Sequence, residues 1–197
     1  MKSIKRKLLA NLLILLAVSN SFAQKNSEAN SPVFGYESNV INAGIGLGDV
    51  YFASVSNSGI PVSFHVSYER GVTQKLGIGF IGLGGDFSFA SAKEVIGNTT
   101  YTNSGLLFAA RASYHFSLNG EIGQKFDPYA GILAGFVIAS HSSRGPGGDL
   151  NEYEHSGGPA AGAFVGAHYY FVPNFGVFAE LGYNITSVFN TGLTFKF

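Results

Sequence analysis

The chain has 197 residues, only 12% of them charged, with 12 Lys and Arg balanced against 12 Asp and Glu. Ordinary soluble domains carry about 25% charge to coat their surface, so this composition argues against a water-coated globule. A neutral balance offers no basic footprint for nucleic acid, and the absence of Cys excludes a disulfide framework and a lipid anchor through sulfur.

The amino terminus carries an export address. Lys2, Lys5, Arg6 and Lys7 precede an apolar run from Leu8 to Val18, and Ser21-Phe22-Ala23 supplies the small residues that a signal peptidase reads. This predicts a cleaved signal peptide over residues 1–23, with Gln24 as the first mature residue. The run is well short of the ~20 residues that a spanning helix needs. Residues 24–38 are polar and unpatterned and read as a short leader, and residues 39–197 read as one domain.

Period-2 alternation, the mark of a strand with one apolar face, recurs through that domain. The first strand sets Ile41, Ala43, Ile45 and Leu47 against Asn42, Gly44 and Gly46, and Asp49 to Ser58 read as a loop. The second sets Val62, Phe64, Val66 and Tyr68 against Ser63, His65, Ser67 and Glu69. In the third, Leu76, Ile78 and Phe80 share one parity while Leu83, Phe87 and Phe89 share the other, so a β-bulge near Gly82 to Gly85 is expected to reconcile them. Ser91 to Asn98 read as an outer loop. The fourth strand carries Leu106, Phe108, Ala110, Ala112, Tyr114 and Phe116 opposite Arg111, Ser113 and His115, and Ser117 to Asp127 read as a long, partly ordered connection.

The fifth strand runs from Pro128 to about Ser140, and the Gly- and Ser-rich stretch from His141 to Gly158 reads as the longest loop, mobile and exposed. Pro159 opens the sixth strand, with Ala161, Ala163, Val165, Ala167, Tyr169 and Phe171 opposite Gly162, Gly166 and His168. The seventh carries Val177, Ala179, Leu181 and Tyr183 opposite Glu180, and Asn184 to Val188 form a short loop. The eighth sets Phe189, Thr191, Leu193, Phe195 and Phe197 against Asn190, Gly192, Thr194 and Lys196.

Eight alternating strands, 27 Gly, 18 Phe, 10 Tyr and little charge, without a helical span after residue 23, predict an all-β fold. The architecture expected is an eight-stranded antiparallel up-and-down transmembrane β-barrel, which satisfies its backbone between strands and has no edge. The polar parity consists mostly of Gly, Ala, Ser and Asn, which suit the crowded interior of a narrow barrel. The apolar parity therefore faces lipid. An even strand number puts both termini on one side, the periplasm, and makes residues 24–38 a periplasmic leader. Tyr68, Tyr114, Phe116, Tyr169, Phe171, Phe195 and Phe197 are expected to ring that interface.

At this point the chain resembles a known family. Phe126-Asp127-Pro128-Tyr129 opening a Gly-rich strand, Phe178-Ala179-Glu180-Leu181-Gly182-Tyr183 near the end and the terminal Phe197 are similar to the small eight-stranded outer-membrane barrels of the OmpA-transmembrane, OmpX, OmpW and opacity-protein kind. The resemblance implies the outer membrane of a Gram-negative cell, with outer-membrane lipids and the barrel-assembly machinery as partners. It also implies that Leu193, Phe195 and Phe197 form the assembly signal. Members range over envelope stabilisers, adhesins, porin-like channels and a few lipid-modifying enzymes, so the fold does not choose among these activities.

The inward ionisable residues are His65, Glu69, Arg111, His115, His168, Glu180 and Lys196. They are read as an interior polar network of ion pairs that plugs the barrel, with a translocation path or a metal site built from three histidines as alternatives. His141-Ser142-Ser143 with Glu152 and Glu154 resembles the His-x-Ser and distant Glu of outer-membrane lipid A deacylases, in which Ser would act as nucleophile, His as base and Glu as orienting carboxylate. Arg144 departs from that pattern. The reading is a non-enzymatic barrel that takes no cofactor and no metal and serves envelope structure or surface contact through its outer loops. A small channel and a deacylase-like enzyme are the alternatives.

Overall fold

A computed structural model describes residues 32–48, 62–145 and 150–197, with no account of the side chains of 150–153. The signal segment, most of the leader and the Asp49 to Ser58 loop lie outside the described residues. Eight strands follow one another around a closed antiparallel ring, β1 to β8 in chain order, with β8 sealing against β1. They are β1 (Asn39–Leu47), β2 (Val62–Gly71), β3 (Gly79–Ile96), β4 (Thr99–Phe116), β5 (Phe126–Arg144), β6 (Leu150–Val172), β7 (Phe175–Tyr183) and β8 (Phe189–Lys196). Among the described residues there is one short helix, α1 (Gly120–Gly123), in the connection between β4 and β5.

The alternation decides which way each side chain points. Ile41, Ile45, Phe64, Leu83, Phe108, Ile132, Phe136, Val165, Leu181 and Leu193 are all exposed on the outer surface. Asn42, His65, Glu69, Asp86, Arg111, His115, Asp127, His168 and Glu180 are buried on the opposite parity. A continuous apolar exterior around a polar interior is the inverse of a soluble barrel and requires a lipid surround. Exposed aromatics gather near the ends of the strands that carry both termini, where Tyr114 and Phe116, and Tyr169 and Phe171, meet edge to face. Tyr68 Oη donates to Asn39 Oδ1 at 2.8 Å and Tyr114 Oη to the Leu76 carbonyl at 2.6 Å, so each ring keeps a wet handle.

Several local expectations are corrected. The pairings of β3 with β2 and with β4 run without a shift over residues 79–96, so there is no bulge at Gly82 to Gly85. Leu76 and Ile78 precede the strand and are exposed in the turn, whereas Phe80 points inward. The parity conflict disappears, and Asp86 falls on the inner face. Ser91 to Asn98 are not an outer loop: β3 continues to Ile96 and turns at Gly97-Asn98, with Gly97 at φ 61°, directly into β4. His141 to Arg144 extend β5, and β6 begins at Leu150 and carries Pro159 in its interior. Pro159 is tolerated because β6 pairs with β7 only from Ala163 onward, leaving an edge there that needs no donor.

Strand lengths divide the wall into two halves. β3 to β6 have 18, 18, 19 and 23 residues, whereas β1, β2, β7 and β8 have 9, 10, 9 and 8. A tilted membrane strand needs about 9–11 residues. The short half is therefore just long enough to span, and the long half projects beyond the bilayer as a four-stranded sheet. We expect Ile132→Arg to destabilise the barrel in lipid vesicles by about 2–4 kcal/mol, the depth-dependent effect of a charge at the midplane. Val95→Arg, equally outward but on the projection, should cost close to nothing in the same urea titration. Equal costs would contradict this placement of the bilayer.

Candidate functional site

The interior of the barrel gathers side chains from every strand. Gly82 on β3 makes room for the most crowded part, because a Cβ there would collide with the Glu69 carboxylate reaching across from β2. Gly166 does the same for Tyr129, whose ring fills the space that a side chain at 166 would occupy.

Arg111 on β4 is at the centre. Its Nε donates to Glu69 Oε2 at 3.1 Å, Nη1 to Asp86 Oδ2 at 3.2 Å and Nη2 to Glu180 Oε1 at 2.7 Å. The guanidinium also lies 4.4 Å from the Phe164 ring centre. Three carboxylates from β2, β3 and β7 thus converge on one planar fork of donors, a geometry that Lys does not offer. Tyr129 Oη donates to the same Glu180 oxygen at 2.9 Å. His65 Nδ1 lies 3.5 Å from Asp86 Oδ1, and its Nε2 lies 3.9 Å from Glu180 Oε2.

Toward the termini the network continues through histidine. His115 Nε2 is 2.6 Å from Glu69 Oε1, which also accepts from the Ser113 hydroxyl. His115 Nδ1 lies 2.9 Å from Asp127 Oδ2, and His168 Nδ1 lies 2.9 Å from that same oxygen. His168 Nε2 is 3.1 Å from Asn42 Oδ1. Six of the seven ionisable residues singled out from the sequence therefore meet in one connected cluster. Lys196 stands apart, donating from Nζ to the Val33 carbonyl at 2.8 Å and lying 5.4 Å from the Tyr170 ring centre.

Sequence reasoning missed Asp86 and Asp127, and it missed two segments that fold into the ends of the barrel. Val33 and Phe34, read as part of a featureless leader, are buried, and Phe34 stacks on His115 with ring centres 3.5 Å apart and planes 9° from parallel. The segment is tied down by Val33 N donating to Gly123 O at 3.0 Å and Glu37 N to Gly71 O at 2.9 Å. At the opposite end, Asn184 to Ser187, read as a simple loop, are buried as well. Ile185 joins Leu107, Tyr129, Leu133, Val137 and Phe164 in an apolar cluster above the charged layer, and Thr186 Oγ1 lies 2.6 Å from Ser88 Oγ.

His141 and Ser143 share the inner parity at the far end of β5, on a strand and not in the loop expected for them. They line a small pocket with Tyr101, Asn103 and Glu154. The His141 ring Nδ1 meets Asn103 Oδ1 at 2.6 Å. The side chain of Glu152 is outside the described residues.

A closed eight-stranded ring with a lipid-facing apolar belt and a charged, buried interior is the architecture of the small outer-membrane β-barrels, and this chain has that fold. No protein-family model matches the chain, and no curated protein matches it in sequence. Among solved structures it is similar to Ail, the attachment invasion locus protein of Yersinia pestis, in a complex with the heparin analogue sucrose octasulfate. Identity there is 14%, with 82% of this chain and 95% of that one covered and a TM-score of 0.50. The N-terminal β-barrel domain of Pseudomonas aeruginosa OprF is 22% identical over 83% of this chain and 99% of that one, with a TM-score of 0.43. Neisserial surface protein A is 18% identical over 86% and 100%, with a TM-score of 0.44.

Proposed function

We propose that the protein is a non-enzymatic outer-membrane barrel whose interior is a plug, and that it works through the sheet and loops it presents outside the membrane. The observation that carries this reading is the Arg111 fork, which joins β2, β3, β4 and β7 across the lumen and leaves a permeating ion to compete with three charge-assisted bonds. The Ile185 cluster above it and Phe34 below support the same conclusion. A narrow eight-stranded barrel is filled by its own side chains.

Surface contact is supported by the unequal wall. A projecting β3 to β6 sheet, with β6 lacking β7 as a neighbour before Ala163, offers backbone and side chains to the exterior that the short strands do not. The deacylase alternative draws less support, because the His141 Nδ1 that a carboxylate would orient is paired with Asn103 instead.

Planar-bilayer recording tests the plug. Wild-type protein is expected to give no stable single-channel steps, whereas Arg111→Ala combined with removal of residues 32–38 should give them. Reproducible steps from the wild type would establish a channel instead. Release of fatty acid from lipid A that disappears in Ser143→Ala would establish the enzyme.

A further inference from the structure

Each of two buried imidazoles, His115 and His168, is faced by an acceptor at both ring nitrogens. His115 has Asp127 at Nδ1 and Glu69 at Nε2, while His168 has Asp127 at Nδ1 and Asn42 Oδ1 at Nε2. The Asn42 amide is oriented by donating its Nδ2 to Ser67 Oγ at 3.2 Å, which leaves its oxygen toward the ring. A neutral imidazole has one N–H and one lone pair. If the two Nε2–H groups donate to Glu69 and Asn42, then two Nδ1 lone pairs and a carboxylate converge on one point with nothing positive between them.

The surrounding charge points the same way. Among the described residues, four buried carboxylates, Glu69, Asp86, Asp127 and Glu180, share the interior with two permanent cations, Arg111 at the centre and Lys196 toward the termini. Buried charge has to be matched locally. The remaining two negative charges are balanced if two of His65, His115 and His168 carry a second proton, or if one divalent cation enters.

We propose that His115 Nδ1, His168 Nδ1 and an Asp127 carboxylate oxygen form a binding site for a divalent transition-metal cation of the zinc class. Each of the three residues offers a ligand atom within 4.8 Å of the others, and both Nδ1 atoms lie 2.9 Å from Asp127 Oδ2. Two imidazoles and one carboxylate are a zinc-type donor set. The site is built on three neighbouring strands, with Asp127 directly opposite His168 in the β5–β6 pairing, so the wall holds the ligands in place. The outer shell is already present: Glu69 and Asn42 would accept the Nε2–H of each ligating ring, fixing the tautomer that leaves Nδ1 free for the metal. Phe34 stacks on His115 and covers the cluster from the side of the termini, so the ion enters before or together with that segment. The site goes beyond the ion-paired plug with no metal expected from the sequence, and it stands or falls independently of conduction.

The test is refolding of the full mature chain into detergent with zinc chloride, desalting against a weak chelator, and metal analysis by mass spectrometry. Wild type is expected to retain about one zinc per chain, and Asp127→Asn and His168→Gln to lower the affinity at least ~10-fold. His65→Gln, in the same interior but not one of the three ligands, should retain the wild-type stoichiometry. Heat-modifiable migration on a gel verifies that each variant has folded. Should a ligand variant not fold, wild type refolded with cobalt(II) decides, since a low-symmetry nitrogen and oxygen site gives intense visible d–d bands that zinc then abolishes. A wild type that retains no zinc, an Asp127→Asn protein that retains as much as wild type, or a His65→Gln protein that loses as much as the ligand variants would each overturn the site.

Discussion

Arg111→Met is expected to lower the stability of the barrel in detergent by about 3–5 kcal/mol, the cost of leaving buried charge without its partner. The effect should lie at the upper end because three carboxylates lose a donor at once: Glu69, Asp86 and Glu180. Glu180→Gln should cost less, since Arg111 keeps two carboxylates and the amide oxygen still accepts from Nη2. The double variant should cost less than the two single effects added, with a coupling of roughly 0.5–3 kcal/mol. Urea unfolding of all four proteins closes the cycle. Strict additivity would show that the 2.7 Å contact between Arg111 and Glu180 carries no energetic coupling and that the ionic interior is misread.

The second large effect belongs to Phe34. Truncating a buried aromatic ring costs roughly 3–5 kcal/mol when the site does not collapse around the void. Phe34→Ala removes the face that stacks on His115, but the residue sits on a segment outside the ring of strands. The lost energy should therefore appear as local opening rather than global unfolding. Amide exchange at Val33 and Glu37, whose N–H groups bond to Gly123 and Gly71, should speed up by a hundredfold or more, since ~3 kcal/mol corresponds to about two decades. The urea midpoint of the barrel should move much less. Unchanged protection at those amides would mean that the backbone contacts alone hold the segment and that the ring merely fills space.

The strands inside the bilayer were legible because lipid on one side and a crowded lumen on the other force opposite chemistry onto alternate residues. That constraint placed His65, Glu69, Arg111, His115, His168 and Glu180 on the inner face from pattern alone. It fails where the constraint ends. Beyond the membrane both faces of a strand meet water, so His141 to Arg144 and Glu154 to Gly158 had no alternation to show and read as loop. Leu76 and Ile78 are apolar for a different reason, as exposed turn residues at the membrane border, and taking them into the strand put β3 out of phase and hid Asp86. Asp127 was assigned to a connection because Pro128 follows it, although the proline occupies a strand position. Phe34 and Ile185 left no periodic signal, because a single side chain that closes the end of a tube repeats nothing.

The charged interior also has a consequence for how the protein forms. Its members come from far apart in the chain: Arg111 is 42 residues from Glu69 and 69 from Glu180, and His168 is 126 from Asn42. A partly assembled sheet, with β1 to β5 in place and β7 absent, would hold Arg111 and the first carboxylates without Glu180, facing an open, wet groove and not a sealed one. Those charges remain hydrated until β8 docks along Val40↔Lys196 to Leu47↔Phe189 and expels the water, so the final pairing and the internal neutralisation occur together. Closure should therefore be all-or-none, with no stable seven-stranded intermediate, and the barrier to reopening should be set by rehydrating the ion cluster as much as by breaking one ladder of hydrogen bonds.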